Sequence, residues 1–142
     1  MTPLDKKALK VILDSNALFV PLQFKIDIFE ELRTLLNRNF EPILLLPVKR
    51  ELERLADKGS PKMRKNALFA LKLAEKCKLI DVKEEGVVSP DDAIIKAAQE
   101  WAYPVFTNDK LLRRRLRDIN VPVIYVRQKS RLEIDGRIQP RV

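Results

Sequence analysis

Five carboxylates stand where a chain of this rhythm would turn over. Asp14 ends the apolar run Val11-Ile12-Leu13 and is followed at once by Ser15 and Asn16. Asp109 follows Val105-Phe106-Thr107-Asn108, Asp91 and Asp92 follow Ser89-Pro90, and Glu51 comes shortly after Pro47. An acid at a helix N-terminus needs no special role, since its charge there stabilises the helix by ~0.3–1 kcal/mol. Asp14 is harder to explain that way, because it abuts a run that reads as a strand buried on both faces. Acids brought together would raise one another's pKa values, and a divalent cation would remove the repulsion. Oxygen donors without His or Cys favour Mg²⁺ or Mn²⁺, and Mg²⁺ keeps several waters, so a few carboxylates suffice. Such a site can activate water and stabilise charge developing on a phosphate.

Composition removes the rival chemistries. The 142 residues include no histidine and a single cysteine, Cys77. That excludes a Ser-His-Asp triad, a His base, His-ligated metals, a thiolate zinc cluster and an intrachain disulfide. Cys77 falls in a helical pattern and reads as a small core or boundary residue, and a lone thiol fits a reducing compartment. Three glycines leave no Gly-rich phosphate loop. No apolar run approaches the ~20 residues of a membrane span, and the first ten residues lack the apolar segment of a secretory signal. The expected location is the cytoplasm. The net charge of +8 suits either a solvated Lys/Glu surface or a polyanion partner, so the placement of the cations must decide.

The elements that would position the acids alternate. Val11–Leu13 reads as a strand, Lys25–Arg38 as a helix with Ile28, Phe29, Leu32, Leu35 and Leu36 inward, and Ile43–Leu46 as a second strand after Pro42. Pro47 opens a helix through Val48, Leu52, Leu55 and Ala56, and Gly59-Ser60-Pro61 breaks the chain. Lys62–Lys76 is expected to be a helix with Ala67, Leu68, Leu71 and Ala74 on its apolar face. Leu79–Val82 follows as a strand and Gly86–Ser89 as a loop. Ser89-Pro90-Asp91-Asp92 has the grammar of a helix start, and that helix carries Ala93, Ile94, Ala97, Ala98 and Trp101. Val105–Thr107 is a strand, Lys110–Asp118 a helix with Leu111, Leu112 and Leu116 inside, and Pro122–Val126 the last strand. This alternation predicts one α/β domain over residues 1–142, with a core from about 10 to 126 and a basic extension from 127 to 142.

The quoted stretches, in this order, resemble the PIN-domain nucleases. The likeness rests on Val11–Asn16, Val48–Leu52, Ser89–Ile95 and Val105–Leu112. It implies a Rossmann-like three-layer domain with a central, mostly parallel sheet flanked by helices. It implies Mg²⁺- or Mn²⁺-dependent RNA cleavage by Asp14, Glu51, Asp92 and Asp109, with Asp91 a near alternative to Asp92 as metal ligand. Asn16, Thr107 and Asn108 would be supporting polar residues that orient a carboxylate or a water. Two branches are implied: one acts in small-subunit ribosomal RNA maturation, the other comprises toxin ribonucleases with an antitoxin partner. Asp91-Asp92, Thr107–Lys110 with Arg113-Arg114-Arg115, and Arg127–Glu133 look more like the first. A homodimer is compatible with the family, and no membrane partner is implied.

Cations on the helix after Asp109 (Arg113, Arg114, Arg115 and Arg117), with Arg127 and Lys129 beyond the last strand, are the expected RNA contacts. They would grip phosphate rather than read bases. Phe19 and Phe24, in the expected loop after Asp14, are the better stacking candidates. A catalytically silent RNA-binding module would need these cations but not the acids. A receiver-type phosphoacceptor domain would need paired acids after the first strand, where only Asp14 stands.

Overall fold

Val11, Ile12 and Leu13 are fully buried, and they form most of β1 (Leu9–Leu13). In the computed structural model, which describes residues 8–82 and 89–138, β1 is joined by five further strands. These are β2 (Phe40–Leu45), β3 (Lys78–Ile80), β4 (Val105–Phe106), β5 (Val123–Arg127) and β6 (Arg131–Asp135). The sheet order is β3-β2-β1-β4-β5-β6. All neighbours pair in parallel except β5 and β6. Chain order reverses across β1 and β4, and right-handed crossovers then put helices on both faces. This is the expected Rossmann-like sheet, mostly parallel and flanked by helices.

The helices begin where the sequence has caps. They are α1 (Val20–Phe24), α2 (Ile28–Leu36), α3 (Leu46–Lys58), α4 (Pro61–Ala74), α5 (Pro90–Trp101) and α6 (Lys110–Asp118). Asp27 caps α2 by accepting from the Glu30 N–H at 3.2 Å, and Ser60 caps α4 through Met63 at the same distance. Ser89 caps α5 by accepting from the Asp92 N–H at 3.1 Å, with Pro90 in the first turn as expected. No helix among the described residues is long and apolar enough to cross a membrane.

Several local readings change. Residues after Asp14 are not a loop: Ser15–Phe19 is a 3₁₀ helix that leads into α1. The helix expected from Lys25 starts only at Ile28, because Lys25 adopts a left-handed φ of 56° and Asp27 takes the cap. The second strand starts before Pro42, not after it, so Pro42 lies inside β2. It sits ahead of Ile43–Leu45, the part that pairs with β3, so no ladder donor is missed on that side. Cys77 stands in the turn before β3 rather than in a helix, and burial pushes its thiol up to about 12, which disfavours the reactive thiolate. The reading of Gly86–Val88 as a loop lies outside the described residues.

Two leucines leave the core. Leu68 is 60% exposed and Leu111 66% exposed. In α4 the buried stripe is Ala67, Ala70 and Ala74, small residues that let α3 and α4 approach closely. In α6 it is Leu112 and Leu116, one turn apart, and a residue one position earlier is rotated ~100° off that stripe. The segment after Arg127, which reads as weakly periodic, contains β6. That strand alternates charge with Leu132 and Ile134 and buries only Leu132 fully, as suits a sheet edge.

The helix faces can be checked by substitution. Leu112→Ala should lower the unfolding free energy by about 2–5 kcal/mol, whereas Leu111→Ala should change it by less than about 0.5 kcal/mol, in urea titrations. Equal losses would refute this assignment of the α6 face.

Candidate active site

The site lies where β1 and β4 end side by side. Ile12 and Leu13 register with Val105 and Phe106, so the next residues out, Asp14 and Thr107, face each other past the strand ends. The Asp14 N–H still donates to the Phe106 carbonyl at 3.0 Å, and the Thr107 N–H to Ile124 at 3.0 Å. Both side chains are therefore fixed by backbone that belongs to the sheet. This is the switch point of the topology, where doubly wound sheets place their chemistry.

Asp14 is only 4% exposed, and its carboxylate is held by neutral donors. Oδ1 accepts from the Ser15 N–H at 2.7 Å; Oδ2 accepts from the Thr107 hydroxyl at 2.8 Å and from the Asn16 amide at 3.1 Å. Having spent its proton on Asp14, Thr107 Oγ1 accepts from Asn16 Nδ2 at 3.3 Å and from the Asp109 N–H at 3.1 Å. Asn16 Oδ1 accepts from the Asn108 N–H at 2.9 Å, which fixes the orientation of its amide. Asn108 Oδ1 in turn accepts from the Val126 N–H at 3.1 Å, tying the end of β4 to β5. The three residues expected as supports thus form one network under Asp14.

The other acids approach from three helices. Glu51, on α3, accepts from the Ser15 hydroxyl at 2.7 Å. Ser15 was not among the sequence candidates; its place directly after Asp14 was the available signal. Asp109 caps α6 through Oδ1, accepting from the Leu111 and Leu112 N–H groups at 2.9 and 3.1 Å. Asp91 and Asp92 share the first turn of α5 but point differently. Asp92 is exposed and pairs with Arg115 at 3.3 Å. Asp91 is half-buried and is coupled through the field to Asp14, Glu51 and Asp109. The resemblance implies Asp92 as a ligand with Asp91 a near alternative; of the two, Asp91 is the less exposed, because adjacent helix positions diverge by ~100°.

The electrostatics record this crowding. Burial raises the Asp14 pKa from 3.8 to about 6; the Thr107 and Ser15 hydrogen bonds oppose it, and Asp91 and Glu51 add to it. Burial, then Asp109 and Glu51, push Asp91 up as well, with Arg115 opposing. Among the described residues no three acid, His or Cys side chains close on a common point as metal ligands. The donor set is oxygen only. It suits a hard cation bound through one or two carboxylates and its own waters.

The expected RNA contacts are largely engaged within the protein. Arg113 and Arg117 both pair with Asp135, at 3.2 and 3.1 Å, Arg115 with Asp92, and Arg127 with Glu133 at 2.9 Å. Arg114 and Lys129 are exposed. Phe19 and Phe24 both pack against the core, and Phe24 also borders an open groove beside the site.

A doubly wound sheet with acids around its switch point defines a Rossmann-like α/β domain. Residues 11–129 match the family described as PIN like domain, and the chain belongs to that family. It is 37% identical over 134 residues to Ribonuclease VapC4 of Methanocaldococcus jannaschii, with 91% of this chain and 98% of that protein covered. It is 32% identical over 125 residues to the rRNA-processing protein fcf1 of Schizosaccharomyces pombe, spanning 87% of this chain and 62% of that protein. The solved structure of the PIN domain endonuclease Utp24 superposes with a TM-score of 0.74 at 32% identity, covering 91% of this chain and 92% of that one. Family membership sets aside the receiver-type reading.

The raised Asp14 pKa has a consequence for stability. The native state holds this proton more tightly than the unfolded chain does, so metal-free stability falls as pH rises from the unfolded value near 3.8 through about 6. The full effect is on the order of 3 kcal/mol. In EDTA, the unfolding free energy of wild type minus that of Asp14→Asn should therefore fall between about pH 4 and pH 7. A difference independent of pH in urea titrations would contradict the buried, crowded state of Asp14.

Proposed function

We propose that this chain is a Mg²⁺- or Mn²⁺-dependent endoribonuclease that hydrolyses RNA phosphodiester bonds. The observation that carries the reading is Asp14 itself: a carboxylate buried at the switch point, held among the described residues by neutral donors, with acids around it. Uncompensated negative charge of this kind is what a divalent cation offsets. Asp14 and Asp91 would hold the ion, with Glu51 and Asp109 flanking it. When bound, such an ion supplies a Lewis acid for phosphate oxygens and lowers the pKa of water.

The protein's own residues do the positioning. Thr107 and Asn16 hold the Asp14 carboxylate in one rotamer, and Ser15 holds Glu51 toward it across the β1–α3 junction. Asp109 is fixed twice, by its cap bonds to α6 and by its N–H on Thr107. Glu51 and Asp109 would accept a proton from an attacking water or orient it. Arg115, paired with Asp92, brings a cation to the rim of the acidic cluster, where it can meet a phosphate.

The substrate reading is maturation of ribosomal RNA, supported by the likeness to the rRNA-processing protein fcf1, while the likeness to Utp24 supports endonuclease chemistry. A second reading, a toxin ribonuclease held by an antitoxin, is favoured by the likeness to VapC4 over nearly that protein's whole length. Depletion in the native host separates them: precursor ribosomal RNA should accumulate under the first, and growth should be unaffected under the second.

The chemistry is tested in vitro on labelled single-stranded RNA. Asp14→Asn and Asp91→Asn should each lower Mn²⁺-dependent cleavage by at least about 100-fold, as loss of a main electrostatic stabiliser does, while Asp92→Asn should stay near wild type. Cleavage unchanged in Asp14→Asn, or no cleavage by wild type with either metal, would refute the reading. A loss in Asp92→Asn with Asp91→Asn active would reverse the roles of the two acids.

A further inference from the structure

Beside the acidic cluster, on its β5 side, an open groove of about 550 Å³ is bordered by Phe24, Lys110, Arg113, Tyr125, Arg127 and Lys129. Asn108, the link between Thr107 and Asp109, forms part of its wall, so groove and acids share one stretch of backbone. No acid lines it. The four cations come from separate elements: Lys110 and Arg113 from α6, Arg127 from the end of β5, Lys129 from the turn beyond.

Arg113 is held unusually well for a surface arginine. Its guanidinium carbon lies 3.6 Å from the centroid of the Tyr125 ring, and its Nε and Nη2 both reach Asp135 at 3.2 Å. The side chain remains about a third exposed. A planar, charged group so fixed is a platform on which a nucleobase can stack at little entropic cost.

The turn beside it carries a second, independent sign. Gln128 and Lys129 both adopt left-handed backbone, with φ of 53° and 57°, and the Ser130 N–H donates to the Arg127 carbonyl at 3.2 Å. Turns with two left-handed central residues strongly prefer Asn-Gly. A non-glycine residue in this region is strained, and such strain tends to persist where the side chain is used. Here it leaves Gln128 and Lys129 on the rim of the groove.

We propose that this groove is a nucleotide subsite for single-stranded RNA: one base stacks on the Arg113–Tyr125 platform, and its flanking phosphate is held by Lys110 and Lys129. The inference rests on the ribonuclease reading and gives that site a substrate path. It divides three of the four arginines of α6 by role. Arg113 is a stacking group, Arg117 serves Asp135, and Arg115 serves the acidic rim. Recognition by stacking and phosphate contact tolerates any sequence.

The test measures fluorescence anisotropy of a short labelled single-stranded oligoribonucleotide on the full chain, in Mg²⁺, in an Asp14→Asn background that prevents cutting. The double variant Gln128→Asn/Lys129→Gly installs the residues the turn prefers, so it should melt at or above the parent temperature. It should nevertheless bind about fivefold or more weakly near 50 mM salt, with the slope of log K against log salt shallower by about 0.7, the loss of one phosphate contact on a single strand. Arg113→Lys keeps the charge and removes the plane; it should weaken binding about fivefold or more while leaving the salt slope unchanged. Parent-like affinity and slope in the double variant would overturn the subsite, as would a parent that does not bind RNA. Groove-dependent binding by a protein whose wild type never cleaves would support the subsite and refute the nuclease reading.

Discussion

The hydrogen bond from the Thr107 hydroxyl to the Asp14 carboxylate, 2.8 Å long and fully buried on the threonine side, is the contact on which the site depends. It joins the ends of two strands that are neighbours in space but 93 residues apart in sequence. Removing either partner leaves the other short of a bond inside the protein, a loss of ~1–3 kcal/mol for a neutral group and more for a charge. The same hydroxyl accepts from Asn16 and from the Asp109 N–H, so it also sets where α6 begins. One threonine thus fixes the rotamer of Asp14 and the start of the helix that carries Asp109.

That contact coexists with an unfavourable one. Asp14 is placed where burial and neighbouring acids disfavour its charge, and the hydrogen bonds from Thr107 and Ser15 recover only part of the cost. Tension of this kind is usual at sites shaped for a ligand, because the bound partner supplies the missing charge. The surrounding core can tolerate it: Val11, Ile12, Leu13, Val105 and Phe106 are fully buried directly beneath the acids. The apolar strands provide the stability, and the last residue of each run is free to be polar.

How much of this was legible in the sequence follows from geometry. Strand ends and helix caps are written in local residue types, so the βα rhythm, Ser89 as cap and Asp14 as a strand-end acid could be read directly. Choices that depend on one helical position could not. Asp91 against Asp92, and Leu111 against Leu112, are pairs of like residues ~100° apart, and only the packing of the helix shows which member turns inward. The edge strand β6 escaped for another reason. Its turn carries Gln128-Lys129 in place of Asn-Gly, and it buries one side of a two-sided alternation, so both usual hairpin signals were weak. Ser15 was in plain view, but its role depends on Glu51 arriving from α3, 36 residues away.

Charge placement is where sequence and structure diverge most, and the divergence is informative. A run such as Arg113-Arg114-Arg115-Leu116-Arg117 looks like a uniform basic flank. In three dimensions the helix deals these residues to different partners: Asp135 takes Arg113 and Arg117, and Asp92 takes Arg115. Pairs this exposed contribute little to stability, about 0–1 kcal/mol each. Their consequence is orientational. Asp135 belongs to the antiparallel strand that the strained turn brings back, so the hairpin holds Arg113 against Tyr125 as well as presenting Lys129. A strand that adds little to the core is therefore positioned to order an arginine whose flat face borders the groove. The chain's positive charge is then best understood by which cations its own acids fix and which they leave facing the groove, rather than by their number.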